Sequence, residues 1–451
     1  MSHVPVGPYE MLQTTSAAVP LYLVPFDKNG LCRGPLTLRH LLNAVEAGNF
    51  TDIHVFSHGW NNVFRDAVVL YKEFFSGYLK LRDDLRLNDP ARSRPVLVGI
   101  IWPSTALVLP WEQPPHIAAV EGSLERDATA GDENDALAEV ASGIEEKVVG
   151  RFYELSQCAS LNRDEARQLA EILLPIFRKT SDREVDVEGS VTTNDILAVW
   201  DKATGGVREP QTPGFARDDG ETPTGPRAAA IGDFLDPRRP IQIATVLLMK
   251  DRAGTVGAFG VGPQLISKLL GLGKGRVHLI GHSYGAKVIL SAICHQVQAA
   301  KARSVLLLQP AISYLSFSDN IDGSGRPGGY RDVLNIVELP ILSTFSANDA
   351  PLTKFFHLAV RRAPDLGEVR IAGVPPSKFA ALGGYGPGGL RAGEGRTIAM
   401  RSAPFKYPLE EAGIRIFGID GSDHKILNHG DVKNVFTEWA ELNLVSGADL
   451  P

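Results

Sequence analysis

Cysteine is scarce in this sequence. Three residues, Cys32, Cys158 and Cys294, are spread over 451 positions and form no Cys-x-x-Cys. Any pairing leaves one of them over, which argues against a disulfide framework or a zinc site and for a reducing compartment. Long apolar runs are also missing, and none approaches the roughly 20 residues that a membrane span needs. There is no surplus of positive charge: 46 Lys and Arg stand against 52 Asp and Glu, a net charge of -6, so no basic face for nucleic acid is expected. Residues 1–16 lack the basic start and apolar stretch of a signal peptide, and a cytoplasmic location is the expectation. What remains is the profile of a globular protein with ample core, 44% hydrophobic and 22% charged. The length calls for two domains or for one core with a large insertion.

The most informative stretch is Arg276 to Ala286. A short apolar run, Val277 to Ile280, reads as a buried strand. Gly281-His282-Ser283-Tyr284-Gly285 follows, and from Ala286 to Ala300 apolar residues recur at helical spacing. Strand, Gly-x-Ser-x-Gly and helix in that order are the context of a nucleophile elbow. The two glycines allow strand and helix to crowd a sharp turn. Ser283 is the candidate nucleophile.

The rest of the chain alternates strands with helices. Residues 1–17 read as an irregular leader. Strands are expected at 19–26, 52–56, 95–102, 304–309, 340–345 and 414–418, and helices at 36–47, 63–81, 257–270 and 432–444. This alternation predicts a parallel α/β sheet. Between 105 and about 250 the rhythm breaks. An acidic run covers 121–146, a helix capped by Asn162 and Glu165 is expected through Phe177, and a Pro- and Gly-rich loop covers 205–240. The whole block reads as an inserted lid or cap, after which core signals resume at Val246–Met249. Neither Gly271–Gly275 nor Gly383–Gly395 has the context of a phosphate loop.

A serine hydroxyl needs a base, and the base a carboxylate to orient it. On an elbow of this kind they follow in the order Ser, acid, His. Asp349 stands just past a late strand, in a turn closed by Pro351; Asp319 and Asp332 are weaker candidates. The base is expected between the last strand and the last helix, where His429 is favoured and His424 is the alternative. Gly430-Asp431 after His429 reads as a helix start. An oxyanion hole takes two backbone N–H groups: Tyr284 supplies one, and Trp60 is the candidate for the other, with Gly59 allowing a tight turn. The side chains of His58, His278 and His282 are read as structural.

With these features in order, the chain resembles the α/β-hydrolase-fold serine hydrolases over about 19–104 and 246–444. Ser57-His58-Gly59-Trp60-Asn61-Asn62, Gly281 to Lys287, Phe345 to Asp349 and His429 to Val432 are similar to motifs of a poorly characterised microbial branch of that superfamily. The resemblance implies a mostly parallel central sheet flanked by helices. Its core would be formed by 1–104 and 251–451, with 105–250 as an inserted lid. It also implies a triad of Ser283, Asp349 and His429. The activity expected is cofactor-free and metal-free hydrolysis of a small acyl ester. Acyl transfer, thioester cleavage, or a binding role without catalysis stand as alternatives.

Overall fold

The computed structural model describes residues 4–15, 17–60, 62–87, 93–104, 137–179, 191–204, 235–294, 300–321, 323, 325–355, 380–447 and 450. The acidic run from 121 to 136, most of the Pro- and Gly-rich loop (205–234) and residues 295–299 of the expected elbow helix lie outside these.

Among the described residues, nine strands form one sheet. They are β1 (Glu10–Gln13), β2 (Ala18–Pro25), β3 (Asp52–Ser57), β4 (Pro95–Ile101), β5 (Arg276–His282), β6 (Ser304–Leu308), β7 (Ile341–Phe345), β8 (Gly395–Ala399) and β9 (Ile416–Asp420). Their order is β1-β2-β4-β3-β5-β6-β7-β9-β8. Only the β1–β2 pair is antiparallel. The chain is thus a mixed α/β protein with a mostly parallel sheet flanked by helices, the fold class expected from its alternating pattern.

Side chains along each central strand alternate between two cores. Val277 and Leu279 of β5 join one, and Ile280 the other; Val305 and Leu307 of β6 divide likewise from Leu306 and Leu308. With both faces covered, these strands read as continuous apolar runs rather than alternating ones. One core is closed by the helix α1 (Pro35–Ala47) and the other by α2 (Phe64–Asp84).

The insertion has a core of its own. It contains the helices α3 (Val149–Ser156), α4 (Arg163–Lys179) and α5 (Thr193–Thr204). Asn162 and Glu165 cap α4 as expected: the Asn162 side chain accepts from the N–H groups of Asp164 and Glu165, and Glu165 accepts from Asn162 N–H, all at 3.0 Å. Past Leu169, Ala170 and Leu173 the buried face is completed by Ile172 and Ile176, whereas Leu174 and Phe177 are only half-buried.

Residues Val246–Met249 lie inside the next helix, α6 (Arg238–Thr255). It carries Ile241, Ala244 and Leu247 into the insertion core, and Met249 and Ala253 into the sheet core. Residue 250 therefore falls within a helix shared by both. The expected start at 257 is no boundary either, because the chain continues through a π-helical stretch, Val256–Ile266, into α7 (Ser267–Leu272). Helix α8 (Tyr284–Cys294) follows the elbow.

Two further expectations are corrected, and one strand lies where none was expected. The leader contains β1, a short edge strand in which only Leu12 is buried, so no apolar run announces it. Strand β8 follows the Gly-rich stretch, with no residue buried and β9 as its single neighbour. The last helix, α9 (Val435–Ser446), begins after Asn434, whose side chain takes the N–H groups of Phe436 and Thr437 in a capping box; Gly430 and Asp431 precede it in the loop.

Candidate active site

The carboxyl ends of β3, β5, β6, β7 and β9 lie along one edge. Ser57 is in register with Gly281, His282 with Leu308, and Phe345 with Asp420. Residues that follow these strands are therefore brought together, however far apart they are in the chain.

Ser283 follows β5 at φ +54, a left-handed conformation. Its N–H donates to Leu308 O (3.1 Å), and its carbonyl accepts from Ala286 and Ala311. A β-carbon on Gly281 would lie 2.5 Å from Ala286 Cα, and one on Gly285 would lie 2.0 Å from Ser57 O. Both glycines are thus required by close approach of the backbone. Left-handed strain in a non-glycine residue costs roughly 1–3 kcal/mol. Full burial of Val288, Ile289 and Leu290 in α8, at about 1.5–3 kcal/mol each, outweighs it.

Asp349 is buried in the turn after β7. Its Oδ1 accepts the N–H of Leu352 (3.0 Å), so it does serve as a turn cap. Its Oδ2 lies 2.7 Å from His429 Nδ1. His429 Nε2 lies 2.8 Å from Ser283 Oγ. The turn and the histidine loop are braced together: Ser346 Oγ donates to Ile426 O (3.0 Å), and Asn348 Nδ2 to Ser422 O (2.8 Å) and Ile426 O (3.0 Å). Asp431 accepts from Leu427 N–H and from Asn434, tying the far end of the loop to the start of α9.

The loop after β3 lies against Ser283. A β-carbon on Gly59 would come 2.6 Å from Ser283 Cβ, so the demand for glycine here is close approach rather than the tight turn expected. The Gly59 carbonyl accepts from His58 Nδ1 (2.9 Å) and Asn62 Nδ2 (3.2 Å). In a trans peptide the next N–H points opposite to that carbonyl. The Trp60 N–H accordingly faces away from His58 and Asn62, and among the described residues nothing accepts from it. Tyr284 is the first residue of α8, at the positive end of the helix dipole.

His58 stacks on Trp102 (5.5 Å, 10°) and its Nε2 accepts from the Trp102 N–H. Burial pushes its pKa down to about 4. Its side chain is structural, as expected.

The remaining sequence candidates fall elsewhere. His424 is exposed at φ +54 in the loop before His429. Asp319 pairs with Arg391 at 2.6 Å, and Asp332 precedes the single turn Val333–Ile336 without a side-chain capping bond. His278 bonds Ser304 (2.7 Å) and Asp52 (3.1 Å) near the amino ends of the strands. Sequence reasoning missed two contacts to the histidine loop, those of His282 and Gln309 with the His429 carbonyl. A polar residue at the end of an otherwise apolar expected strand, 304–309, was the only signal for Gln309.

Among the described residues no group of His, Cys, Asp and Glu is placed to hold a metal ion, and no helix is long and apolar enough to cross a membrane. No known family model, curated protein or solved structure matches the chain. Chemically, a hydroxyl on a strained turn, an imidazole within hydrogen-bond reach of it and a buried carboxylate on the far ring nitrogen can together move a proton off the hydroxyl as it attacks.

Proposed function

We propose that this chain is a serine hydrolase of the α/β-hydrolase type that cleaves a carboxylic ester through an acyl-enzyme on Ser283. The observation that carries the reading is the continuous relay from Asp349 Oδ2 through His429 to Ser283 Oγ, at 2.7 and 2.8 Å. Ser283 Oγ attacks the acyl carbonyl carbon while His429 Nε2 takes its proton, and Asp349 stabilises the imidazolium. The N–H groups of Trp60 and Tyr284 hold the oxyanion. His429 then protonates the departing alkoxide, which leaves as the alcohol. Water, deprotonated by His429, attacks the acyl-enzyme and releases the acid, and Ser283 regains its proton.

The 105–250 block acts in this reading as a lid. It leaves from the carboxyl end of β4, the edge that carries Ser283. Its base is tied by Arg252, which donates to Pro103 O (3.1 Å) and pairs with Glu139.

The test is labelling with a fluorophosphonate probe, together with hydrolysis of short p-nitrophenyl esters. Ser283 is expected to carry the label, and Ser283→Ala to lose both label and hydrolysis while keeping its melting temperature. A folded protein labelled at another serine, or not at all, overturns the reading.

A further inference from the structure

His429 sits in the loop between β9 and α9, and no ladder of its own holds its backbone. Its carbonyl accepts two side-chain donors, His282 Nε2 at 3.0 Å and Gln309 Nε2 at 3.1 Å. Gln309 Nε2 also reaches Asn428 O at 2.9 Å. The donors stand on adjacent strand ends, since His282 is in register with Leu308, the residue before Gln309.

Both donors are poor choices for stability alone. Among the described residues, His282 Nδ1 and Gln309 Oε1 are buried with no hydrogen-bond partner, and an unmet buried acceptor costs about 1–3 kcal/mol. Gln309 also sits at φ +39, with its N–H held by Thr344 Oγ1 at 3.0 Å. A leucine or methionine would incur no such cost. What the two residues share is the satisfied half of each side chain, and both halves converge on one carbonyl. Burial, then the neighbouring His429, push the His282 pKa down to about 3, so the ring is neutral and its one proton sits on Nε2. Its ring also packs on that of His429, with centroids 5.0 Å apart.

Resting on the reading of Ser283 and His429 as nucleophile and base, we infer that His282 and Gln309 are positioning residues, which clamp the His429 carbonyl so that its imidazole meets Ser283 and Asp349 together. A displacement of about 1 Å at such a base can cost on the order of 100-fold in rate.

The experiment compares His282→Leu, His282→Gln, His282→Asn and Gln309→Met by ester hydrolysis across pH, by fluorophosphonate labelling rate and by thermal melting. His282→Leu and Gln309→Met are expected to lower kcat by roughly 10- to 100-fold with KM within about twofold. Labelling should slow in parallel, and the acid limb of the kcat/KM profile should move. Glutamine can place its amide nitrogen where Nε2 stands and should restore most of kcat; the shorter asparagine should not. Folded Leu and Met variants with unchanged kcat, or a Gln variant as slow as Leu, overturn the clamp. Should His282→Leu fail to fold, Gln309→Met and the Gln–Asn contrast carry the test. Labelling of the unsubstituted protein at Ser283 reports separately on the underlying function, so the two failures are distinct.

Discussion

A β-carbon placed on Gly59 would lie 2.6 Å from the β-carbon of Ser283, and 3.1 Å from His282 Nδ1. No real pair of carbons tolerates the first distance, so one of the two backbones would have to move. Gly59→Ala is therefore expected to shift Trp60 away from the nucleophile and to lower kcat by about 100- to 1,000-fold, the usual cost of losing one oxyanion donor. Steady-state kinetics alongside melting curves check it. A folded alanine variant with near-normal kcat would detach Gly59 and Trp60 from the reaction.

Asp349 has two separable duties, because its oxygens face different partners. Asp349→Asn can still accept the Leu352 N–H through Oδ1, but it carries no charge to stabilise the His429 imidazolium. It should melt near the parent temperature and lose about 10⁴ in kcat. Asp349→Ala should lose activity as severely and melt lower, since the cap goes too. By the same geometry His429→Ala should match Ser283→Ala in severity, because the two act as a unit, whereas His424→Ala stays within about tenfold, or 1.4 kcal/mol. A severe defect in the His424 variant would require a second base.

Acid should unfold this protein readily. Burial holds His58 down to about 4, His282 to about 3 and His278 below its usual value. In the unfolded chain each returns to about 6.5. Between those limits the unfolded state binds more protons, so the stability is fully present above about 6.5 and is lost as pH falls toward the folded values. Each group contributes a slope of about 1.4 kcal/mol per pH unit. Glu438 opposes them: burial raises it to about 7, so it favours folding at low pH and loses that contribution as pH rises through 7. Three histidines outweigh one glutamate. Urea midpoints at pH 7, 5.5 and 4.5 should fall steeply, and Glu438→Gln should raise the midpoint more at pH 8 than at pH 5. A flat series would contradict the neutral buried histidines.

Arg252 is the buried link between the end of β4, Glu139 and α6. Arg252→Met should loosen the inserted block while sparing the relay. Preference across p-nitrophenyl esters of increasing chain length should shift, with Ser283 labelling kept within about threefold. Excising residues 113–240 is a poorer test, because Ile241, Ala244 and Leu247 of α6 would lose the core they pack into. An unchanged chain-length profile in a folded Arg252 variant would speak against a lid.

Local chemistry carried much of this in the sequence alone. The elbow is legible because strand, glycines and helix are all encoded within about twenty residues. The alternating α/β pattern is legible because strands buried on both faces must be apolar throughout. Pairing across distance is not encoded this way. Strands β1 and β8 have one buried residue between them and exist through pairing with β2 and β9 rather than through an apolar run of their own. Val246–Met249 is an apolar run too short for its period to be read, and its place in a helix shared by two cores was decided by packing. His424 and His429 lie five residues apart in one loop. Only the braces from Ser346, Asn348 and Asp431, and the donors of His282 and Gln309 at strand ends, determine that the second ring turns inward. The order of residue types was a property of the chain; the choice of ring came from the sheet edge, where five strands end side by side.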